Sequence, residues 1–473
     1  MSPAELRSNL SGSRALAVAG ASLIFAAAGG AQAVTPSKTP PVPPVNPPLV
    51  VVPPRTVGAP VPVTLDEAIR MAQKASPTSI QAQGLERSDQ AALRAAKGAL
   101  LPQLTLSAGR VIQYGNAATR INSNGEQVSV AQKPTNSDGM TVNLQLFDGG
   151  QRLYDLRAAR ADIEAARANL LGAQYNIALN VKQQYYAVLA ALESEDAAKA
   201  QLSEAQEQLK SSEAKVRAGV ATMSDSLRGV VTVNNAQLAL ITAETNLATA
   251  NAALTRLVGS DTPITAEPSS VSTERFDPLP DSAALIAFAE NGPAVQQAQA
   301  NLDAAKQLKK ASKSTYLPSL NATYSRSGSG VDNGFGLGKD PFAYNGRLSL
   351  GASYTLFNGY QRELNVVRAD VAEDNARAAL RDAQLAATSS LAGYIGALRS
   401  AAQRVAVQAA TVRAAEEDVR VQQQRYNIGA STLLDLLTSR TTLEQARAAL
   451  ISARYDYRIA RAQIETLVGR TLQ

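Results

Sequence analysis

The chain has 473 residues with no Cys, no His and no Trp, and its 46 basic residues against 40 acidic ones give a net charge of +6. That composition removes the thiol nucleophile, the Cys or His metal site and the imidazole base; of catalytic readings it leaves only a weak one, a carboxylate- or lysine-based enzyme. Basic and acidic residues are interspersed along the helical stretches, so the charge reads as solvated faces and not as a nucleic-acid patch.

In chain order, residues 1–33 read as a secretory signal. Arg7 and Arg14 precede an apolar stretch from Ala15 to Ala28, and Ala31-Gln32-Ala33 offers a small-residue cleavage site. The apolar run is shorter than the ~20 residues a membrane-spanning helix needs, and no comparable run follows it. A mature chain of this kind enters a membrane only as a closed β-barrel. No Cys follows the cleavage site, so a lipid anchor is excluded. Residues 34–63 hold 11 of the 22 prolines and read as an extended linker outside any core.

Folding is expected from Thr64, where Thr64-Leu65-Asp66-Glu67 has the form of a capping box. A short helix to about Ser76 and, after Pro77, a second from about Thr78 to Ala99 are predicted. Leu104, Leu106 and Ala108 then alternate with Thr105, Ser107 and Gly109, predicting a strand over about 102–112. A loop is expected at about 115–139. Met140, Val142, Leu144 and Leu146 alternate with polar residues and predict a strand at about 140–147. From Gln151 to Arg217 there is no Pro and only Gly172, which fits one helix of about 100 Å. A tip at 217–225 with a glycine turn at Gly219, a return helix from about Ser224 to Val258, and an irregular Pro-containing join from Gly259 to Asp281 complete the unit.

The same order then repeats. Leu146-Phe147-Asp148-Gly149-Gly150-Gln151-Arg152 returns 210 residues later (356 − 146) as Leu356-Phe357-Asn358-Gly359-Tyr360-Gln361-Arg362. The same offset relates Gly219 to Gly429, Asp225 to Asp435, and Leu257-Val258-Gly259 to Leu467-Val468-Gly469. A fixed offset across separated landmarks marks an internal duplication, with a first repeat over 64–280 and a second over 281–473. The second repeat predicts helices on either side of Gly292-Pro293 and strands at about 318–327 and 347–356 around a loop at about 329–345. It continues with a long helix from Gln361 to Asn427, a tip at 426–435 and a return helix from Leu433 to Val468. Upstream of the strands the offset is 216 (293 − 77), which places a longer loop between Leu101 and Leu146.

Each chain thus supplies four strands at one end of its long helices. Strands of roughly 10 residues suffice to cross a bilayer with tilt, although a soluble hairpin packed on helices fits the same alternation. Four strands cannot close a barrel, and an open sheet in lipid leaves edge groups unpaired at several kcal/mol each. Several chains must therefore share one barrel, and any closed ring satisfies that argument.

Three features carry a resemblance: the paired LFDGGQR and LFNGYQR junctions, the Leu101-Pro102 and Leu317-Pro318 strand starts, and the tip run from Arg425-Tyr426-Asn427 through Gly429 to Asp435-Leu436-Leu437. From Thr64 to Gln473 the chain resembles the TolC family of outer-membrane efflux proteins. The resemblance implies a fold that is mainly α with a membrane β-barrel. It implies a trimeric channel-tunnel in which three chains share a twelve-stranded barrel in the outer membrane, above a long α-helical barrel in the periplasm. It implies a homotrimer in contact with outer-membrane lipid, docked to a periplasmic adaptor (membrane fusion) protein and an inner-membrane ABC or RND pump. No catalysis, cofactor or nucleic acid is implied. The missing anchor Cys leans toward type I secretion over multidrug efflux, since many drug-efflux ducts of the wider family are lipoproteins. A non-conducting periplasmic coiled-coil or adhesion protein is the rival, and it predicts sustained heptads.

In a conduit the residues of interest line or gate the passage. At 100° per residue, Asp435, Thr438, Ser439 and Thr442 share one helix face, opposite Leu433 and Leu437, with Leu434 and Leu436 at the sides. Asp435 is therefore expected to face water, and copies of it around an axis form a carboxylate ring that favours cations. In the family, the position matching Asp435 belongs to an acidic ring at the periplasmic entrance. A second acid often follows one turn later; Thr438 stands there, so cation affinity should be weaker. Tyr426 and Asp225 match family positions that link neighbouring tip hairpins, and a phenol and a carboxylate bond strongly if they meet. The family's helper arginine, two residues past the tip glycine, is here Ser431. A capping or solvated role for Asp435 and plain packing of Tyr426 are the alternatives. Gly219 and Gly429 are expected to take positive φ, and in the family the same tips receive the adaptor.

Overall fold

A computed structural model of the chain describes residues 59–114, 118–130, 133–268, 282–331 and 342–472. The expected signal segment and residues 34–58 of the expected linker lie outside the described residues. The first half of the chain runs β1 (Val61–Val63), α1 (Leu65–Ala75), α2 (Pro77–Gly98), β2 (Gln103–Val111), β3 (Ala118–Ile121), β4 (Gln127–Val130), β5 (Thr135–Phe147), α3 (Gln151–Arg217), α4 (Met223–Val258) and β6 (Ile264–Ala266). The second runs α5 (Ser282–Glu290), α6 (Pro293–Ser314), β7 (Ser319–Val331), β8 (Ala343–Ser353), α7 (Gln361–Asn427) and α8 (Leu433–Val468).

The helices start where local chemistry favours it. The Thr64 side chain accepts the Glu67 amide at 3.4 Å, and Pro77 and Pro293 open α2 and α6, where a missing N–H is harmless. The two long helices, α3 and α7, each have 67 residues, and the returning α4 and α8 each have 36. Each long helix spans about 100 Å and each return helix about 54 Å. Val181 and Leu391, Val188 and Leu398, Leu254 and Ile464, and Val258 and Val468 occupy equivalent places in the two repeats. All are buried, each pair in a corresponding apolar cluster.

Strands β2, β5, β7 and β8 form one antiparallel sheet in the order β2-β5-β7-β8. Its register sorts the side chains over the half nearer the helices, while farther along Asp138 and Arg326 fall on the same face as the apolar rows. Leu104, Val142, Tyr324 and Leu348 share one row, Leu144, Ala322 and Leu350 the next on the same face, and Leu320 and Ala352 a third. The opposite face carries Thr105, Thr141, Ser325 and Arg347, then Gln103, Asn143, Thr323 and Ser349. The apolar face is uncovered: Leu106 is 73% exposed, Leu348 71% and Leu350 75%. Strands β2 and β8 have no strand partner on their outer edges among the described residues.

Some boundaries differ from expectation. The linker's last residues form β1, which pairs in parallel with β6, and Val63 is buried in the core. Pairing with β6, and not local propensity, makes a strand of this Pro-containing segment. The Tyr185 hydroxyl donates to the carbonyls of Val63 and Glu267, at 3.1 and 3.2 Å, and so ties both strands to α3. The loop expected at 115–139 contains the β3–β4 hairpin, turned by Asn122, whose Oδ1 accepts from the amides of Asn124 and Glu126. Strand β8 begins earlier than expected and stops at Ser353, because the Arg362 guanidinium takes the carbonyls of Thr355 and Leu356 at 2.9 and 3.3 Å.

That arginine belongs to the strand-to-helix junction, which explains the repeated motif. In the first repeat Arg152 bonds the Asp148 carboxylate at 2.6 Å, the Ala99 carbonyl at the end of α2 at 2.9 Å and the Gln145 carbonyl of β5 at 2.6 Å. Burial alone would raise the Asp148 carboxyl; the Arg152 side chain and the Arg152 and Gly150 amides outweigh it and hold the group below its ordinary value. The chain turns through two left-handed residues, Gly149 (φ 70°) and Gly150 (φ 89°). A Cβ on Gly149 would lie 2.4 Å from the Ser314 carbonyl oxygen. In the second repeat the pair is Gly359 and Tyr360, and Tyr360 is the one non-glycine residue with positive φ among the described residues. There Asn358 replaces the carboxylate, and Arg362 stacks over the Tyr316 ring at 4.6 Å.

Arg152→Ala leaves the Asp148 carboxylate partly buried without its cation, whereas Arg362→Ala strands no charge. The expected loss is about 2–3 kcal/mol for the first and about 1 kcal/mol for the second. Denaturant unfolding followed by far-UV circular dichroism measures the difference, and equal losses would contradict the assignment.

Candidate functional site

At the far ends of the long helices the chain reverses twice, and both reversals are built alike. The Gly219 amide donates to the Val216 carbonyl and the Val220 amide to the Lys215 carbonyl, both at 3.0 Å. The second tip repeats this with Gly429 to Tyr426 at 3.1 Å and Ala430 to Arg425 at 2.8 Å. These bonds satisfy the last carbonyls of a helix and need a left-handed residue. Gly219 and Gly429 supply it with φ of 73° and 76°. A Cβ at either would meet nothing within 4 Å, so the requirement is for backbone conformation and not for space.

The return helices then start from reciprocal caps. Thr222 accepts from the Asp225 amide, while Asp225 Oδ2 accepts from the Thr222 amide at 3.1 Å and its hydroxyl at 2.8 Å. Thr432 and Asp435 do the same at 2.9 and 2.8 Å. Asp435 is exposed, as the helical wheel anticipates. Its carboxyl is held below the ordinary value of 3.8 by the Thr432 amide and hydroxyl, with the nearby Arg425 charge adding to the effect. Thr438 is also exposed, and its hydroxyl donates to the Leu434 carbonyl at 2.9 Å.

The expected face of α8 needs one correction. Ser439 is buried, Leu436 is fully buried and Leu434 is exposed, so the inward stripe runs Leu433, Leu436, Ser439, Leu443. A small residue is required at that depth. At the equivalent Gly229 on α4, a Cβ would lie 2.9 Å from Leu209 Cδ1.

Tyr426 and Asp225 are not joined within the chain. The Asp225 carboxylate serves its own cap, and the Tyr426 ring lies against the Lys215 ammonium, 4.0 Å from the ring centroid. Lys215 was not among the residues singled out from sequence. Its signal is positional: Lys215 and Tyr426 both sit in the last turn before a tip glycine. Above the tips, α3 and α8 form a shallow open groove of about 290 Å³ lined by Ser203, Glu204, Glu207, Gln208 and Arg440. Gln208 Nε2 and Arg440 Nε have no hydrogen-bond partner there. Among the described residues there is no acidic cluster able to hold a metal ion and no helix long and apolar enough to cross a membrane.

Paired long hairpins with glycine tips, joined to an open-edged sheet with one bare apolar face, define the fold of outer-membrane channels. Three solved channels share it. CusC superposes with a TM-score of 0.71 over 87% of this chain and 93% of its own, at 17% identity. VceC of Vibrio cholerae gives 0.68 over 86% and 97%, at 16% identity. MtrE of Neisseria gonorrhoeae, solved in its open state, gives 0.68 over 86% and 89%, at 20% identity. The chain belongs to the outer membrane efflux protein family, whose sequence profile matches residues 68–260 and 287–470. It is also similar to outer membrane protein TolC of Escherichia coli K12, with 24% identity over 388 residues, 79% of this chain and 76% of TolC. The TolC of Salmonella enteritidis is 24% identical over 387 residues, 79% of this chain and 75% of that one. The family and these neighbours are channel proteins, not enzymes.

The depressed carboxyl of Asp435 contributes stability that is present above its ordinary pKa of 3.8 and lost as pH falls through its lower folded value. Amide exchange in the first turn of α8, corrected for intrinsic rates, is expected to stay slow down to about that value and to accelerate below it. Asp435→Asn should be fast at every pH.

Proposed function

We propose that the protein is a passive exit duct: a homotrimer whose sheets form one shared twelve-stranded barrel in the outer membrane and whose long hairpins form a helical tunnel in the periplasm. Export to that compartment by the N-terminal signal segment is part of this reading. The observation that carries it is the four-stranded sheet with one exposed apolar face, one polar face and two unpaired edges. In lipid such a sheet is tolerable only if copies pair edge to edge into a closed ring. Closure then turns the Leu104–Leu348 rows to lipid and the Thr- and Asn-bearing rows to the lumen. A non-conducting coiled-coil spacer or adhesin has no use for such a surface. Cargo enters from an inner-membrane pump through a periplasmic adaptor that docks at the tips around Gly219 and Gly429. Small toxic compounds and unfolded secreted proteins are the cargo classes proposed for the duct.

The gate is assigned to the tips, with Asp435 as an acidic ring at the entrance, Thr438 one turn deeper, and Tyr426 and Asp225 among the residues that set how far neighbouring hairpins part. One carboxylate ring without a second attracts cations less strongly than two. Purified protein is expected to migrate as a trimer in detergent and to pass cation-selective current in planar bilayers. Asp435→Ala should raise the conductance and lower the selectivity. A protein that stays monomeric and passes no current would overturn the proposal.

A further inference from the structure

We infer that Lys215 is a gating residue of this chain: its ammonium, seated on the ring face of Tyr426, holds the two hairpins of a subunit together at their tips. This rests on the gated-duct reading and names the chemistry of its closure.

Lys215 lies in the last turn of α3 and Tyr426 in the last turn of α7, so the contact bridges the first hairpin to the second. Both side chains are half-buried, and the ammonium is 4.0 Å from the ring centroid. That is within the ~6 Å reach over which a ring face attracts a cation. The other groups at the tips act locally. The carboxylates of Asp225 and Asp435 bind Thr222 and Thr432 on their own helices. Arg425 turns to the Ala430 carbonyl at 3.4 Å, and the Ser431 hydroxyl to the Gln422 carbonyl at 3.4 Å. Higher up, Tyr455 of α8 bonds Glu193 of α3 at 2.5 Å and Lys182 pairs with Glu465. The inter-hairpin seam is thus fastened by ion pairs and hydrogen bonds at mid-length. At its free end, the polar fastening seen among the described residues is the Lys215–Tyr426 stack.

The pair also breaks the internal repeat. The residue equivalent to Lys215 is Arg425, and the residue equivalent to Tyr426 is Val216, which has no ring. Each subunit therefore carries one such contact. The ring face does the work, so the phenolic hydroxyl is dispensable. A latch between the Tyr426 hydroxyl and an Asp225 carboxylate makes the opposite demand.

A single cation–ring contact at a partly exposed site shifts an equilibrium by roughly two- to five-fold. Three copies in one ring compound to about ten- to hundred-fold in the ratio of open to closed tips. The test is single-channel recording of the full-length protein in planar bilayers, with trimer size checked for each variant. Lys215→Gln and Tyr426→Leu are expected to raise the open fraction by that factor, and the double variant to be no leakier than either alone. Lys215→Arg and Tyr426→Phe should behave like the parent. If Tyr426→Phe leaks as much as Tyr426→Leu, the hydroxyl carries the latch and the inference fails. If Lys215→Gln leaves the parent's gating unchanged, it fails as well. A parent protein that passes no current fails the duct reading itself, and with it the latch.

Discussion

Backbone groups at the two bare edges of the four-stranded sheet set the problem that the rest of the chain answers. Every N–H and C=O on the outer sides of β2 and β8 needs a partner, and in hydrocarbon there is no water to supply one. Each edge strand carries a single arginine, Arg110 in β2 and Arg347 in β8, and neither contains a proline; β8 is exposed along its whole length and β2 is almost as open. The apolar rows on one face and the hydroxyl and amide rows on the other give the sheet a definite outside and inside before any second copy is considered. Self-association is the simplest way to satisfy edges and faces together.

The junction between sheet and helix is where this sheet is coupled to the helices. Arg152, in the first turn of α3, bonds the end of α2, Gln145 of β5 and Asp148 of the intervening turn, so three elements are fixed in direction by one planar group. Two consecutive left-handed residues produce the sharp change of course, and the close Ser314 carbonyl makes glycine compulsory at the first of them in the first repeat. The second repeat keeps the geometry with different chemistry. Asn358 replaces Asp148, Tyr360 accepts the positive φ, and the aromatic face of Tyr316 supports Arg362 where a carboxylate supports Arg152. Duplicated units can therefore conserve a backbone path while their side-chain solutions diverge.

Much of the architecture was legible because the repeat speaks twice. The long-helix bounds Gln151–Arg217 and Gln361–Asn427 follow from the absence of proline and the placement of Gly219 and Gly429. Burial at Val181 and Leu391, or Leu254 and Ile464, keeps the same register. What escaped was decided by tertiary contact. Pro-rich composition hid β1, since nothing local says that Val63 will meet Ile264–Ala266 and the Tyr185 hydroxyl. The end of β8 was hidden because a guanidinium eight residues or so downstream competes for its carbonyls. Ser439 looked like a water-facing residue on a helical wheel, yet the close approach of hairpin helices demands a small side chain there. At the tips, Asp435 was legible as exposed, while the Lys215–Tyr426 contact depends on two helices meeting whose ends are far apart in sequence.

The capping of Asp435 and its proposed place in an entrance ring are compatible for a geometric reason. Both bonds accepted from Thr432 fall on Oδ2, which leaves Oδ1 outside the cap on an exposed residue. The cap also keeps the carboxyl ionised to lower pH than an uncapped aspartate, because protonation would forfeit bonds to the amide and hydroxyl of Thr432. A ring of like charges has the opposite tendency, since each carboxylate disfavours ionisation of the next. An acid chosen only for its position at the entrance would be pushed toward neutrality when copies converge. An acid that also completes the N-terminal capping box of its helix resists that push, so Asp435 is well suited to hold a negative charge at the proposed entrance.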